Sequence, residues 1–213
     1  YPDGVKSIDD KQFLDKFELP YSNISNKIKF FNVLGHHDYN IKVSPKNEIK
    51  YTKISNKWVM PHNFYCFRKR INNINVEFIG IDTNLSKMKN RKLQEQWLLN
   101  TIYESKCKWI IVFGHHPWKS YSSEREEDYE LDELYTKINN IGKVDLILSG
   151  HEYNKQHIYI PGKPNMVISG VGSFTNDKIK FYNSEELKFS SNTLGCGKID
   201  FLKNSMNIHF YNV

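Results

Sequence analysis

The stretch Trp109-Ile110-Ile111-Val112-Phe113-Gly114-His115-His116-Pro117-Trp118 decides how this sequence is read. A continuously apolar run stops abruptly at a glycine, two histidines and a proline. That is the pattern of a buried central strand surfacing at a functional edge. Two other segments repeat it: Phe30-Phe31-Asn32-Val33-Leu34 runs into Gly35-His36-His37-Asp38, and Val144-Asp145-Leu146-Ile147-Leu148-Ser149 runs into Gly150-His151-Glu152-Tyr153. Strands that each end in Gly-His gather histidines at one edge of a sheet, and clustered neutral imidazoles bind transition metals. The glycines let the backbone turn sharply there without a Cβ clash.

Around these segments the pattern predicts a helix over 11–17, where Phe13, Leu14 and Phe17 share a face after the capping residues Asp9 and Asp10. Strands are predicted over 28–34, 64–67 and 76–82, the last two separated by a basic, Asn-rich link over 68–75. A polar loop with Pro45 follows His37-Asp38. The clearest helix is 87–105, with Leu93, Trp97 and Leu98 as its apolar stripe, and a second helix spans 131–141 after a charged loop over 120–129. Further strands fall at 109–113, 146–149, 166–171, 198–202 and 207–211. Strands alternating with helices, then strands alone, imply an α/β sandwich with a partly antiparallel second sheet. No internal repeat or domain boundary is visible, so 1–213 reads as a single domain.

The chain has 213 residues, enough for a substantial core, and 30 Lys and Arg against 24 Asp and Glu give a net charge of +6. The basic residues are scattered, which fits attraction to anionic substrates and not a nucleic-acid groove. No apolar run is long enough to span a bilayer. Three cysteines form neither a disulfide framework nor a metal knuckle. Cys107 reads as a small buried hydrophobe, whereas Cys66 and Cys196 are available to pair in an oxidising compartment. Asn23-Ile24-Ser25 and Asn84-Leu85-Ser86 are sequons compatible with secretion.

Taken in order, the motifs resemble the calcineurin-like metallophosphoesterases, and among them the purple acid phosphatases. Tyr1-Pro2-Asp3-Gly4-Val5 is similar to the end of that group's Gly-Asp-Asn-Phe-Tyr-x-x-Gly-Val motif, and Gly35-His36-His37-Asp38 to Gly-Asn-His-Asp. Tyr51-Thr52-Lys53-Ile54-Ser55 with Trp58 and Pro61 resembles its Tyr-Ser-Lys-Ile-Ser stretch. Ile81-Asp82-Thr83, Gln96-Trp97-Leu98, Gly114-His115-His116-Pro117 and Gly150-His151-Glu152-Tyr153 follow in the matching sequence. Gly170-Val171-Gly172-Ser173 resembles a Ser-Gly-x-Gly strand end.

The resemblance implies an α-β-β-α sandwich of two mixed β-sheets flanked by helices. It also implies a dinuclear centre of iron plus a divalent ion (zinc, manganese or iron), acting on small phosphorylated substrates in a secreted, secretory-pathway or vacuolar setting. By it, Tyr1, His36, His115, His151 and Tyr153 are metal ligands, His37 assists catalysis, and His116 is placed at the substrate. Asp38 either orients His37 or closes a turn. Glu124 lies near where some purple acid phosphatases carry an acid-donating histidine, although its charged run reads as a hydrated loop. His62, His157 and His209 read as structural.

Departures accompany the matches. The family's N-terminal strand and first two motifs, which carry metal-binding aspartates, precede Tyr1 in the family pattern and are absent from this sequence. His36 stands where the family has a metal-binding asparagine, and Tyr153 where it has a histidine. Two functions therefore follow from the sequence. One is a metal-dependent acid phosphatase. The other is a phosphatase-fold scaffold with protein partners, resembling the glideosome-associated proteins that serve as membrane-anchored docking platforms.

Overall fold

In chain order the strands are β1 (Phe30–Phe31), β2 (Trp58–Val59), β3 (Tyr65–Ile71), β4 (Ile74–Gly80), β5 (Trp109–Phe113), β6 (Leu146–Ser149), β7 (Lys155–Ile158), β8 (Asn165–Ser169), β9 (Leu187–Ser191), β10 (Gly195–Phe201) and β11 (Met206–Asn212). The helices are α1 (Lys11–Phe13, continuing as a wider turn over Leu14–Glu18), α2 (Lys46–Tyr51), α3 (Arg91–Glu104) and α4 (Tyr129–Ile141). This computed structural model describes residues 4–40, 44–123, 128–176 and 178–213.

The main sheet is seven-stranded and mixed, in the order β3-β4-β5-β6-β8-β7-β9. Its centre, β4-β5-β6-β8, is parallel, and the flanking strands run antiparallel. Alternate residues of β5 serve opposite layers. Ile110 and Val112 join the cluster built with Leu98 and Ile102 of α3 and Leu134, Tyr135 and Ile138 of α4. Ile111 joins Val76, Leu146, Val167 and Phe201 under the β10–β11 hairpin. Burial on both faces is why these strands read as unbroken apolar runs. A third cluster, Val5, Phe13, Phe17, Leu34, Tyr51, Trp58, Met60 and Tyr65, joins the N-terminal segment to the edge strand β3.

The sandwich class follows the sequence, with differences of detail. Among the described residues the second layer is two separate pairs, parallel β1–β2 and antiparallel β10–β11, and not one continuous sheet. The strand expected over 28–34 shrinks to Phe30–Phe31. There the Asn32 side-chain amide donates to the Phe30 carbonyl at 2.8 Å, a local bond that competes with a ladder. The supposed link over 68–75 is a tight hairpin: β3 runs to Ile71, and Asn72 and Asn73 turn the chain at φ 50° and 65°. Asn-Asn suits such a left-handed turn. The loop after Pro45 contains α2. Strands β7 and β9 were not foreseen, because β7 buries Lys155 and Gln156 where an apolar pattern would be sought. Lys155 Nζ donates to the Tyr211 carbonyl at 3.0 Å and Asn212 Oδ1 at 2.6 Å, tying the sheet to the hairpin above it.

The apolar stripe assigned to α3 also shifts. Leu93 is 59% exposed, and the buried face is Gln94, Leu98 and Ile102. Gln94 spans the end of β4: its Oε1 accepts from Asp82 N–H and its Nε2 donates to the Asp82 carbonyl, both at 2.9 Å. Cys66 and Cys196 are exposed free thiols, and Cys107 is a half-buried one. Of the two sequons, Asn23 is exposed, but Asn84 is buried with its amide donating to Asp82 Oδ1 at 2.8 Å. No helix is long and apolar enough to cross a membrane among the described residues.

One acid pair lies inside the N-terminal layer. Glu48 on α2 is buried against Asp38, and its Oε2 has no hydrogen-bond partner. Burial first, and the neighbouring Asp38 carboxyl second, push its pKa up to about 10.

Two outcomes follow for stability. Gln94→Leu strands the Asp82 backbone N–H and carbonyl, a loss of about 1–3 kcal/mol, which urea denaturation will register as a lower midpoint at unchanged slope. Glu48 is protonated in the folded chain but ionises near 4.5 when unfolded, so its contribution is fully present below that pH and declines as pH rises towards 10. The melting temperature of Glu48→Gln, measured against the unsubstituted chain, therefore gains ground from pH 5.5 to 8.5; a constant gap contradicts this.

Candidate metal centre

The parallel neighbours β4, β5 and β6 end side by side, so the turns that leave them converge outside one edge of the sheet. β5 exits through Gly114-His115-His116 and β6 through Gly150-His151, with Gly150 N–H donating to the His115 carbonyl at 3.1 Å. From the other layer, Gly35 leads into a single 3-10 turn, His36–Tyr39. A Cβ on Gly35 would stand 3.1 Å from the His115 ring, and one on Gly114 2.7 Å from Thr83 Cγ2, so both glycines admit a close approach. Gly150 meets nothing within 4 Å. The unusual backbone is at His151 itself, whose φ of 59° is rare for a non-glycine residue.

His36, His115, His116 and His151 bring one ring nitrogen each into a group whose members all lie within 4.8 Å of one another. His115 Nε2 is 3.0 Å from His36 Nδ1 and 3.1 Å from His151 Nδ1. Burial lowers the His115 pKa to about 2 and that of His116 to about 4, with the neighbouring imidazoles adding to both shifts. Neutral rings are the form that offers a lone pair to a metal.

Residues behind the histidines fix their positions. Asp82, fully buried, accepts from the Tyr39 hydroxyl, from Asn84 N–H at 3.0 Å and from Asn84 Nδ2 at 2.8 Å, fastening the His36–Tyr39 turn to the end of β4. Burial raises the Asp82 pKa and these hydrogen bonds oppose the rise. Thr83 Oγ1 accepts His116 N–H at 3.0 Å and lies 2.7 Å from His116 Nδ1, and the Tyr135 hydroxyl donates to the His116 carbonyl at 3.1 Å. Behind His151, buried Glu152 accepts from the hydroxyls of Ser120 and Ser122, the latter at 2.5 Å. Its carbonyl would stand 1.7 Å from a Cβ on Gly170, so only glycine fits there. Sequence reasoning passed over Asp82, Thr83 and Glu152 as anchors.

The remaining sequence-derived candidates fall differently. His37 is exposed, its ring centroid 4.0 Å from that of His36, beside the group but outside it. Asp38 is buried, and its Oδ2 accepts Gly35 N–H at 2.8 Å, closing the turn as its second reading had it. Tyr153 packs its ring edge-on against Phe174, centroids 4.9 Å apart, and is 39% exposed. Tyr1 and Glu124 lie outside the described residues. His116 has its ring centroid 4.7 Å from that of His115, because the chain bends after Gly114 and strand alternation no longer applies. His157 and His209 are structural, bonded to Asn165 Oδ1 at 2.9 Å and Asp200 Oδ2 at 3.0 Å.

As a donor set, four imidazoles suit one borderline divalent ion such as zinc, cobalt, nickel or copper. Among the described residues the group contains no carboxylate, and a hard Fe(III) site calls for oxygen donors that these four side chains do not supply.

The profile of the calcineurin-like phosphoesterase family matches residues 3–155. Purple acid phosphatase 4 of Arabidopsis thaliana is 28% identical, the alignment covering 100% of this chain and 68% of that protein. Tartrate-resistant acid phosphatase type 5 of Oryctolagus cuniculus is also 28% identical, over 86% of this chain and 62% of its own length. The chain thus spans about two thirds of the length of these curated relatives. Among solved structures, GAP50, described as the anchor in the inner membrane complex of Plasmodium, superposes with a TM-score of 0.86 at 22% identity, over 100% of this chain and 71% of that one. Purple acid phosphatase PPD1 from yellow lupin (Lupinus luteus) seeds gives 0.61 at 14% identity, over 88% and 37%. These two likenesses bear on the fold alone, but the family profile spans well over half the sequence and includes the turns that carry His36, His115, His116 and His151: the chain belongs to the calcineurin-like phosphoesterases.

Proposed function

We propose that this chain is a metal-dependent phosphatase acting on small phosphomonoesters. The observation that carries the reading is the convergence of four imidazoles at the carboxyl-end edge of the parallel strands in a phosphoesterase fold. A divalent ion held there supplies charge to a phosphoryl oxygen and lowers the pKa of a bound water. His37, exposed beside His36, is placed to hydrogen-bond the phosphate and to deliver a proton to the departing oxygen. The net charge of +6 favours anionic substrates in general. The iron-type half of a two-ion centre would need Tyr153 turned away from Phe174, together with Tyr1. A secretory or vacuolar setting agrees with the exposed sequon at Asn23 and with the acid phosphatase relatives.

A second reading has its own support. The fold likeness to GAP50, over 71% of that chain, and the packing of Tyr153 onto Phe174 favour a docking platform that keeps the fold without turnover.

Hydrolysis of p-nitrophenyl phosphate by the zinc- or cobalt-loaded chain separates the two. The phosphatase reading predicts turnover abolished by chelation, with kcat reduced roughly 10²–10⁴-fold in His37→Ala, the range of a lost general acid. No turnover at any pH from 4 to 8 in a metal-loaded, folded chain leaves the docking reading.

A further inference from the structure

We propose, on the phosphatase reading of this site, that Tyr153 and Phe174 form an aromatic wall that receives the leaving group, selecting phosphomonoesters of planar aromatic alcohols over those of small alkyl alcohols. Topology brings both rings to the reacting edge. β8 pairs in parallel with β6, Ser149 opposite Ile168, so the segment leaving β8 emerges where His151 does. Tyr153 follows His151 by two residues, which keeps their Cα atoms within about 7 Å of each other. Phe174 lies just past the end of β8 at Ser169 and meets Tyr153 with ring centroids 4.9 Å apart and planes at 81°. Such an edge-to-face pair is a favoured aromatic geometry.

The two backbones that carry the rings are pinned to each other. Gly170 N–H donates to the Asn154 carbonyl at 3.0 Å, and the Glu152 carbonyl occupies the space a side chain on Gly170 would need. Val171 is fully buried, and its carbonyl accepts Gly195 N–H at 3.0 Å. The rings standing on this base are left open to water: Phe174 is 57% exposed and Tyr153 39%. A single exposed aromatic side chain is ordinary, but a braced pair beside the imidazole group is a surface for a ring to cover.

A planar group on the ester oxygen of a phosphate held at the histidines reaches this wall and covers apolar surface there, whereas a methyl or ethyl group stops short. Stacking of this kind tolerates many ring systems, because it engages a π-face and not a particular set of hydrogen bonds. The contact is made in the bound ester and kept in the transition state, so it acts on KM more than on kcat. The Tyr153 hydroxyl has no part in it.

Benzylphosphonate and ethylphosphonate, in which a methylene replaces the ester oxygen, test this by calorimetric titration of the zinc-loaded chain without turnover. The expected result is about 10-fold tighter binding of benzylphosphonate. That ratio is expected to fall towards one in Phe174→Ala and Tyr153→Leu and to persist in Tyr153→Phe, which keeps the ring, with folding checked by circular dichroism. Equal affinities in the unsubstituted chain, or a ratio that Phe174→Ala leaves intact, overturn the proposal. Equal affinities together with hydrolysis of p-nitrophenyl phosphate overturn it alone and spare the phosphatase reading. Failure to bind either phosphonate, with no hydrolysis, overturns both. A preference for benzylphosphonate without hydrolysis sustains the wall and removes turnover.

Discussion

The lateral alignment of β4, β5 and β6 is the constraint on which the rest depends. Parallel pairing makes three chain segments far apart in sequence release their next residues at one edge, and Gly80-to-Phe113 and Phe113-to-Leu148 register sets them abreast. Each released segment then does a different task. The β4 segment supplies the buried braces Asp82 and Thr83. The β5 and β6 segments supply three of the four imidazoles. The fourth, His36, arrives from the other layer, and it stays in place because Tyr39 on the same turn is bonded to Asp82.

Much of the site's order is held by buried polar groups and not by apolar packing. Gln94 caps both backbone groups of Asp82, Glu152 collects two serine hydroxyls behind His151, and Lys155 pins the β10–β11 hairpin. Such networks are fully partnered where they brace the histidines, as low-dielectric interiors require. The same burial lowers the pKa of His115 and His116, so the surroundings that stabilise the fold also favour their neutral rings.

The legible part of the sequence was the part written in apolar runs. Trp109–Phe113 and Leu146–Ser149 end where the pattern says, and the Gly-His endings placed His36, His115 and His151 together. What stayed hidden has a common cause. His116 joins the group only because the chain bends past Gly114, where strand alternation stops. β7 was missed because its buried residues are Lys155 and Gln156, and α3's inner face was misread because Gln94, not Leu93, is buried. Tertiary partners decide such positions, and no period in the chain encodes them. Tyr153 looked like a ligand by its place after His151, but whether it faces the metals or Phe174 depends on a loop more than twenty residues away.

The central claim is that four imidazoles from three turns gather at one point and hold metal there. X-ray absorption spectroscopy of the zinc-loaded chain tests it most directly. The account predicts imidazole nitrogen scatterers at about 2.0–2.1 Å with imidazole outer-shell features. A first shell dominated by oxygen, without imidazole features, would contradict it.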